Sequence, residues 1–214
     1  ALFIQDLQQD GLHIVGLRDI DPAHQIYFKR DHHWTPQGAR LVAQAAADEI
    51  KALPVYSALR KTEYETTETK TEEYTGAFKK TFKKLCNTQM PSEPRIRYQT
   101  QTAKAATSQD ALFGNVKAPE VVLVGTSNSA ASSNVANFEG FLKDTLSADV
   151  ENMAVTGAGV DTAMLQYLNS ERAKTDPAKI LVWEVPGYYS FDHMHSKVFE
   201  KAIPLLTKNE ASAH

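Results

Sequence analysis

Val121-Val122-Leu123-Val124 is a run of four apolar residues, followed at once by Gly125. No polar residue interrupts it, so both faces of the segment must be covered, the pattern of a strand inside a parallel sheet. The flanking segments agree with that reading. Phe138, Phe141, Leu142 and Leu146 recur at helical spacing. Residues 150–155 suit a strand ended by Thr156-Gly157-Ala158-Gly159, and Met164, Leu165 and Leu168 a helix that Asp161 or Thr162 can cap. Ile180-Leu181-Val182-Trp183 suits the next strand, ended by Glu184-Val185-Pro186. Strands alternating with helices predict an α/β fold with a mostly parallel sheet and function at the strands' C-terminal ends.

The first half is less uniform. Leu2, Phe3 and Leu7 read as a short helix stopped at Gly11, residues 12–17 as a buried strand, and Asp21-Pro22 as a turn. Ile26-Tyr27-Phe28 is a strand stub leading to Asp31. The clearest helix follows. Thr35 can cap it, and Pro36 occupies the first position, where a missing N–H costs nothing. Ala39, Val42, Ala43, Ala46, Ile50 and Leu53 form its apolar face before Pro54 stops it. Residues 57–110 change character, with seven threonines and five glutamates between Thr62 and Thr81. Charge alternating with β-branched residues predicts a solvated hairpin or edge strands. A short amphipathic segment carrying Phe78, Phe82 and Leu85 follows, broken by Pro91 and Pro94. Large apolar residues are few in 57–110, which is therefore read as an insertion within a single domain spanning 1–214.

The composition removes several function classes. Cys86 is the single cysteine, which excludes an intrachain disulfide and a multi-thiolate zinc site. Lys plus Arg is 23 against 26 Asp plus Glu, a net charge of -3, so no strong field for nucleic acid is implied. No apolar run approaches the twenty or so residues of a membrane span. The chain opens on Ala1-Leu2-Phe3 without an initiator Met or a signal peptide, and is expected to be a processed or excised piece.

Two segments can carry chemistry. Asp31-His32-His33-Trp34-Thr35 puts a carboxylate and two imidazoles just before a helix. Gly125-Thr126-Ser127-Asn128-Ser129 puts a hydroxyl where a buried strand turns over. A serine at such an elbow can be held exposed, with backbone N–H groups near for an oxyanion. It needs a base, and the base needs an orienting carboxylate. Asp31 and His33 can supply both, giving a Ser-His-Asp set in the order Asp, His, Ser. Three plainer readings stand beside this one. Asp31, His32 and His33 with one more ligand can bind a metal, although no further His or Cys sits at a recognisable spacing; His193 and His195 read as a polar tail. Asp31 can simply cap the turn. The Gly125-Thr126-Ser127 turn can bind an anion without any nucleophile, though it lacks a phosphate loop's lysine.

Five pieces, in order over most of residues 12–190, resemble one family. Asp-x-His-Trp-Thr-x-x-Gly-Ala at 31–39 and Val-Leu-Val-Gly-Thr-Ser-x-Ser at 122–129 are similar to signature segments of the AlgX/AlgJ group of alginate O-acetyltransferases. So are Asn137-Phe138-x-Gly-Phe-Leu, Asn152-x-Ala-Val-x-Gly-x-Gly and Val182-Trp183-Glu184-Val185-Pro186. The Asp-His-His-Trp string is also similar to a related family named for those four letters.

The resemblance implies an SGNH-hydrolase-like three-layer fold, with a central, mostly parallel sheet and the Thr/Glu-rich stretch inserted. It implies Asp31 as orienter, His33 as base, Ser127 as nucleophile and His32 as a variable residue between. An ordinary SGNH hydrolase carries its Asp and His after the serine, so the order is permuted. The Ser127 N–H and groups near Gly157 or Gly159 would hold the oxyanion, unless those glycines serve only a tight turn, and Asn128 would help from its side chain. No cofactor and no metal are expected. The implied activity is acetyl transfer in the periplasm, through an acetyl-serine, from an acetyl donor to sugar hydroxyls of a secreted polysaccharide such as alginate. Other exopolysaccharide-biosynthesis proteins are the implied partners. A carbohydrate acetylesterase and a catalytically silent scaffold of the same fold are the alternatives. Lys79, Lys80, Lys83 and Lys84 form a basic cluster that faces either polysaccharide or solvent. The family's domain has another strand and helix ahead of this region, so the chain is expected to be truncated at its N-terminus.

Overall fold

A computed structural model describes residues 2–16, 20, 23–103, 117–132 and 135–189. They form two compact units. One draws on Ala1–Leu59, Glu65–Gln101 and Ala136–Leu146, the other on Arg60–Tyr64, Thr102–Val135 and Ser147–His214.

The first unit is mainly helical. It holds α1 (Leu2–Gln9), α2 (Pro36–Ala52), a 3-10 turn at Pro54–Ala58, β1 (Tyr64–Tyr74), α3 (Lys79–Cys86), β2 (Glu93–Thr102) and α4 (Phe138–Leu146). Thr35 caps α2 by accepting a hydrogen bond from the Gly38 N–H at 2.9 Å, as its side chain and position predict. The core of the unit is α2 against α4. Ala39, Ala43 and Ala47 are small enough to let the helices approach, and Phe141, Leu142 and Leu146 fill the space opposite, all buried. Each buried large apolar side chain contributes roughly 1.5–3 kcal/mol.

β1 and β2 form a two-stranded sheet. Thr66 bonds Thr100, Thr69 bonds Arg97 and Arg95 bonds Glu72, so the partners run in opposite order and the strands are antiparallel. This is the expected Thr/Glu-rich hairpin, largely solvent-facing along β1. α3 carries the expected Phe82 and Leu85 between the strands.

The second unit is a parallel three-stranded sheet of order β4-β3-β5, with β3 at Val121–Val124, β4 at Val150–Asn152 and β5 at Ile180–Trp183. Val121 pairs with Val150 on one side and Ile180 on the other. All four β3 side chains are buried, as the uninterrupted apolar run requires. α5 (Thr162–Asn169) and α6 (Glu171–Thr175) cover one face, with Ala163, Tyr167, Leu168 and Ala173 on Val122 and Val124. The fold is α/β, with a parallel sheet as expected. Among the described residues, no helix is long and apolar enough to cross a membrane.

Four details differ from expectation. Residues 12–16 form no strand; Leu12 is 45% exposed and His13 faces Glu49 at 3.9 Å, so the apolar run finds no ladder. Pro94 lies inside β2 rather than ending a segment, which a two-stranded sheet tolerates because each strand has a free side. β4 closes at Asn152, though Met153 and Val155 still donate to Leu123 and Gly125 at 2.8 and 3.0 Å. α6, capped by Ser170, has too few apolar residues to have been legible. Leu17, Asp21-Pro22, His193 and His195 lie outside the described residues.

Candidate active site

The segment before α2 doubles back on itself. Tyr27 and Trp34 form an isolated antiparallel bridge, Phe28 N–H donates to the His33 carbonyl at 3.2 Å, and Thr35 N–H donates to the Ile26 carbonyl at 2.7 Å. Trp34 packs on Phe138, with ring centroids 4.6 Å apart, and anchors the loop to the core of its unit. Asp31 and His33 therefore sit at the tip of a short, pinned turn.

Asp31 is buried, and its carboxylate is saturated with donors. Oδ1 accepts from the His33 ring Nδ1 at 2.6 Å and from the His33 N–H at 3.0 Å. Oδ2 accepts from the Tyr74 hydroxyl and from the Ala77 N–H, the latter at 2.6 Å. Burial alone would raise the pKa of Asp31, but the hydrogen bonds from His33 and Tyr74 outweigh it and hold the carboxyl well below the usual range. Tyr74 moves the other way. Burial, then its bond to Asp31, pushes the phenol far up, so it stays a donor. With Nδ1–H donated to Asp31, the neutral His33 ring carries its lone pair on Nε2, the state a general base needs.

The turn from β1 into α3 makes this possible. Gly76 has φ +72°, and a Cβ there would strike the Arg30 carbonyl, so only glycine lets Ala77 N–H reach Asp31. A second carboxylate holds the loop from β2. Glu93 is buried and accepts from the Lys29 and Arg30 N–H groups, each at 3.2 Å.

His32 lies beside the pair, with Nδ1 3.5 Å from Asp31 Oδ1 and its ring centroid 4.1 Å from that of His33. Burial first, and then the His33 ring, lower its pKa, partly opposed by Asp31. Asp31, His32 and His33 offer metal-ligand atoms within 4.8 Å of one another. A cation there would displace donors from a carboxylate whose two oxygens already accept four hydrogen bonds. The donor set fits an oriented imidazole better than a metal.

In the second unit Ser127 stands on the turn after β3. Across residues 121–130 every other residue is buried and Ser127 is not. The turn is built on Glu184, just past β5. Glu184 accepts from the Thr126 N–H at 2.7 Å, the Thr126 hydroxyl at 2.9 Å and the Ser129 hydroxyl at 3.2 Å. Asn128 is buried, and its Nδ2 lies 3.5 Å from Glu184 Oε1 and 3.4 Å from Thr126 Oγ1. Burial pushes the Glu184 carboxyl up, and these donors oppose it. Gly157 and Gly159 have φ +75° and +83°, so the turn itself calls for glycine at both. Their segment runs beside the serine turn, since Val155 N–H donates to the Gly125 carbonyl and Ser132 bonds Thr156 at 3.0 Å.

Asp31 and His33 are thus brought together within one unit, and Ser127, Asn128, Gly157 and Gly159 gather at the strand ends of the other. Three residues escaped sequence reasoning as site components. A charged residue directly after the apolar Ile180–Trp183 strand was the available signal for Glu184. Tyr74 and Glu93 had none, because each is one polar residue in a polar stretch.

The family model described as "SGNH hydrolase-like domain, acetyltransferase AlgX" matches residues 1–187. "Alginate biosynthesis protein AlgX" of Pseudomonas aeruginosa is 37% identical over 190 residues, covering 89% of this chain and 39% of that protein. The chain thus spans about two-fifths of that relative's length. Among solved structures, one described as "Structural and functional characterization of Pseudomonas aeruginosa AlgX" superposes with a TM-score of 0.80 at 33% identity, covering 95% of this chain and 48% of that one. The "O-Acetyltransferase Domain of Pseudomonas putida AlgJ" superposes at 0.70 with 25% identity, covering 93% and 70%. On the strength of a match across most of its length, the chain belongs to the AlgX/AlgJ alginate-acetylation family, with an SGNH-hydrolase-like domain.

Proposed function

We propose that this chain transfers an acetyl group to sugar hydroxyls of a secreted polysaccharide such as alginate, through an acetyl-serine at Ser127. The observation that carries the reading is the His33–Asp31 hydrogen bond of 2.6 Å to a buried, donor-saturated carboxylate. Such a pair fixes the imidazole's tautomer and stabilises the imidazolium that forms during proton transfer.

In the first step Ser127 Oγ attacks the acetyl carbonyl carbon and its proton passes to His33 Nε2. The donor's ester C–O bond breaks, and the departing oxygen takes that proton back. In the second step a sugar hydroxyl attacks the acetyl-serine, again giving its proton to His33, and the Ser127 oxygen leaves and is reprotonated. The Ser127 N–H, with groups near Gly157 or Gly159, holds the negative charge of each tetrahedral intermediate. Asn128 contributes from its side chain. The reaction belongs to the periplasm, beside other exopolysaccharide-biosynthesis proteins. The names of the relatives and the β1–β2 hairpin, which supplies Tyr74 to Asp31, support this reading, in which 57–110 is an insertion within a single domain.

The test uses a chromogenic acetyl ester with and without oligosaccharide. Acetyl on Ser127 and on the oligosaccharide, detected by mass spectrometry, is the expected result. Ser127→Ala abolishes the adduct. Asp31→Ala and His33→Ala each slow it by about 10²–10⁴-fold, and the losses do not add. Release of free acetate alone, with an acceptor panel present, would replace transfer by hydrolysis. Full activity in Ser127→Ala would overturn Ser127 as the nucleophile, and no acetyl transfer or release by the unaltered chain would leave a silent scaffold.

A further inference from the structure

Glu184 is a buried carboxylate that the acetyl-transfer steps do not use. Removing a carboxylate from water costs several kcal/mol, and a well-packed apolar residue at the same place is often the more stable choice. Its retention therefore calls for a use other than packing, and the geometry supplies one.

The donors that reach Glu184 come from both sides of Ser127 in the sequence. Thr126 offers its N–H and its hydroxyl, Ser129 its hydroxyl at 3.2 Å, and Asn128 its amide at 3.5 Å. Three of the four are side chains, so the contact reads the identity of the turn residues and does not merely extend the sheet. The approach is close by construction. A Cβ on Gly125 would come within 2.7 Å of Glu184 Oε2 and 2.9 Å of Glu184 Cβ, so the strand must end in glycine for the carboxylate to sit where it does. Oε2 collects the Thr126 N–H, the Thr126 hydroxyl and the Ser129 hydroxyl, while Oε1 faces the Asn128 amide and a second, longer contact from the Thr126 hydroxyl. A neutral amide with its oxygen at the Oε2 place would keep the Thr126 and Ser129 contacts without the strength that a charged acceptor gives them, and would turn its NH2 toward Asn128.

We infer that Glu184 is a positioning residue for the nucleophile: through Thr126 and Ser129 it holds the turn that sets the direction of the Ser127 hydroxyl and of its N–H. The inference rests on Ser127 being the nucleophile and adds what aims it. Near-attack geometry is steep, and a misplacement of about 1 Å can cost roughly 10²-fold in rate.

The experiment measures acetylation of Ser127 by a chromogenic acetyl ester in the full chain, by stopped flow and mass spectrometry, with circular dichroism on every variant. Glu184→Gln keeps the size of the side chain, removes its charge and leaves a single acceptor oxygen for these donors. The expected result is a folded protein whose acylation rate constant falls about 10- to 100-fold, with KM for the ester changed less than about twofold. Thr126→Val removes the hydroxyl alone and should lose rate likewise, while Thr126→Ser, which restores it, should recover most of the loss. That rescue is a readout a merely structural role would not give. A folded Glu184→Gln that acylates as fast as the unaltered chain overturns the inference, as does equal loss in Thr126→Ser and Thr126→Val. If Glu184→Gln does not fold, the Thr126 pair decides. If the unaltered chain forms no acetyl-Ser127, the nucleophile assignment falls first and this inference with it.

Discussion

Tyr74→Phe isolates one hydrogen bond. It deletes a hydroxyl and keeps the ring, which packs on Phe28 with centroids 4.7 Å apart. The loss falls on Asp31 Oδ2, whose carboxylate is buried. A hydrogen bond to an ionised group contributes about 1.5–3 kcal/mol, so a destabilisation of about 2 kcal/mol is expected at pH 7. Its pH dependence has a definite sign. Tyr74 is raised in the folded state by burial and by Asp31, so its contribution is complete below the unfolded tyrosine value of about 10 and is lost as pH climbs above it. At pH 11 the unaltered protein has given up roughly 1.4 kcal/mol that the variant never had, and the deficit narrows by that much. Asp31 acts at the other end. Its folded value is depressed, so its contribution is complete above about pH 4 and is lost as pH falls through the folded value. The assay is urea unfolding of both proteins at pH 7 and pH 11. A deficit under about 0.5 kcal/mol at pH 7, the size of an ordinary surface change, would refute the reasoning, as would a deficit of equal size at pH 11.

Two further outcomes can be measured on the same footing. Gly76→Ala forces a side chain onto φ +72° against the Arg30 carbonyl; the left-handed backbone alone costs about 1–2 kcal/mol, and acylation of Ser127 should slow as Ala77 leaves Asp31. Phe141→Ala empties a site on α4 that is 2% exposed and edge-on to Tyr98, so urea unfolding should show a loss of about 3–5 kcal/mol.

The parts of this molecule that the sequence reveals are those where one local rule dominates. Four apolar residues in a row demand two covered faces, and β3 has them. A threonine before proline announces a capped helix, and Thr35 caps α2. Asp31 and His33 are two residues apart, so a tight turn is all that their contact needs, and the contact was readable on that ground. What was not readable depends on long separations. Tyr74 reaches Asp31 across 43 residues, and Glu184 reaches Thr126 across 58. Nothing in a polar strand or at a strand's end says which distant carboxylate or amide it will meet. The segment at 12–16 fails in the opposite way. Its composition suits a strand, but a strand exists only with a neighbour to bond, and composition does not supply one.

The clasp of Glu93 on the Lys29 and Arg30 N–H groups joins parts of the chain 64 and 63 residues apart. Until β2 is in place, the turn bearing Asp31 and His33 has no carboxylate to receive those two amides. They gain it only when β2 has been made and has folded back with β1, which also brings Tyr74. The surroundings of the Asp31–His33 pair are therefore completed by the hairpin, and a chain cut before Glu93 would carry the pair as sequence without the clasp on its turn. The solvent-facing hairpin that adds little to the core is what clasps the Asp31–His33 turn.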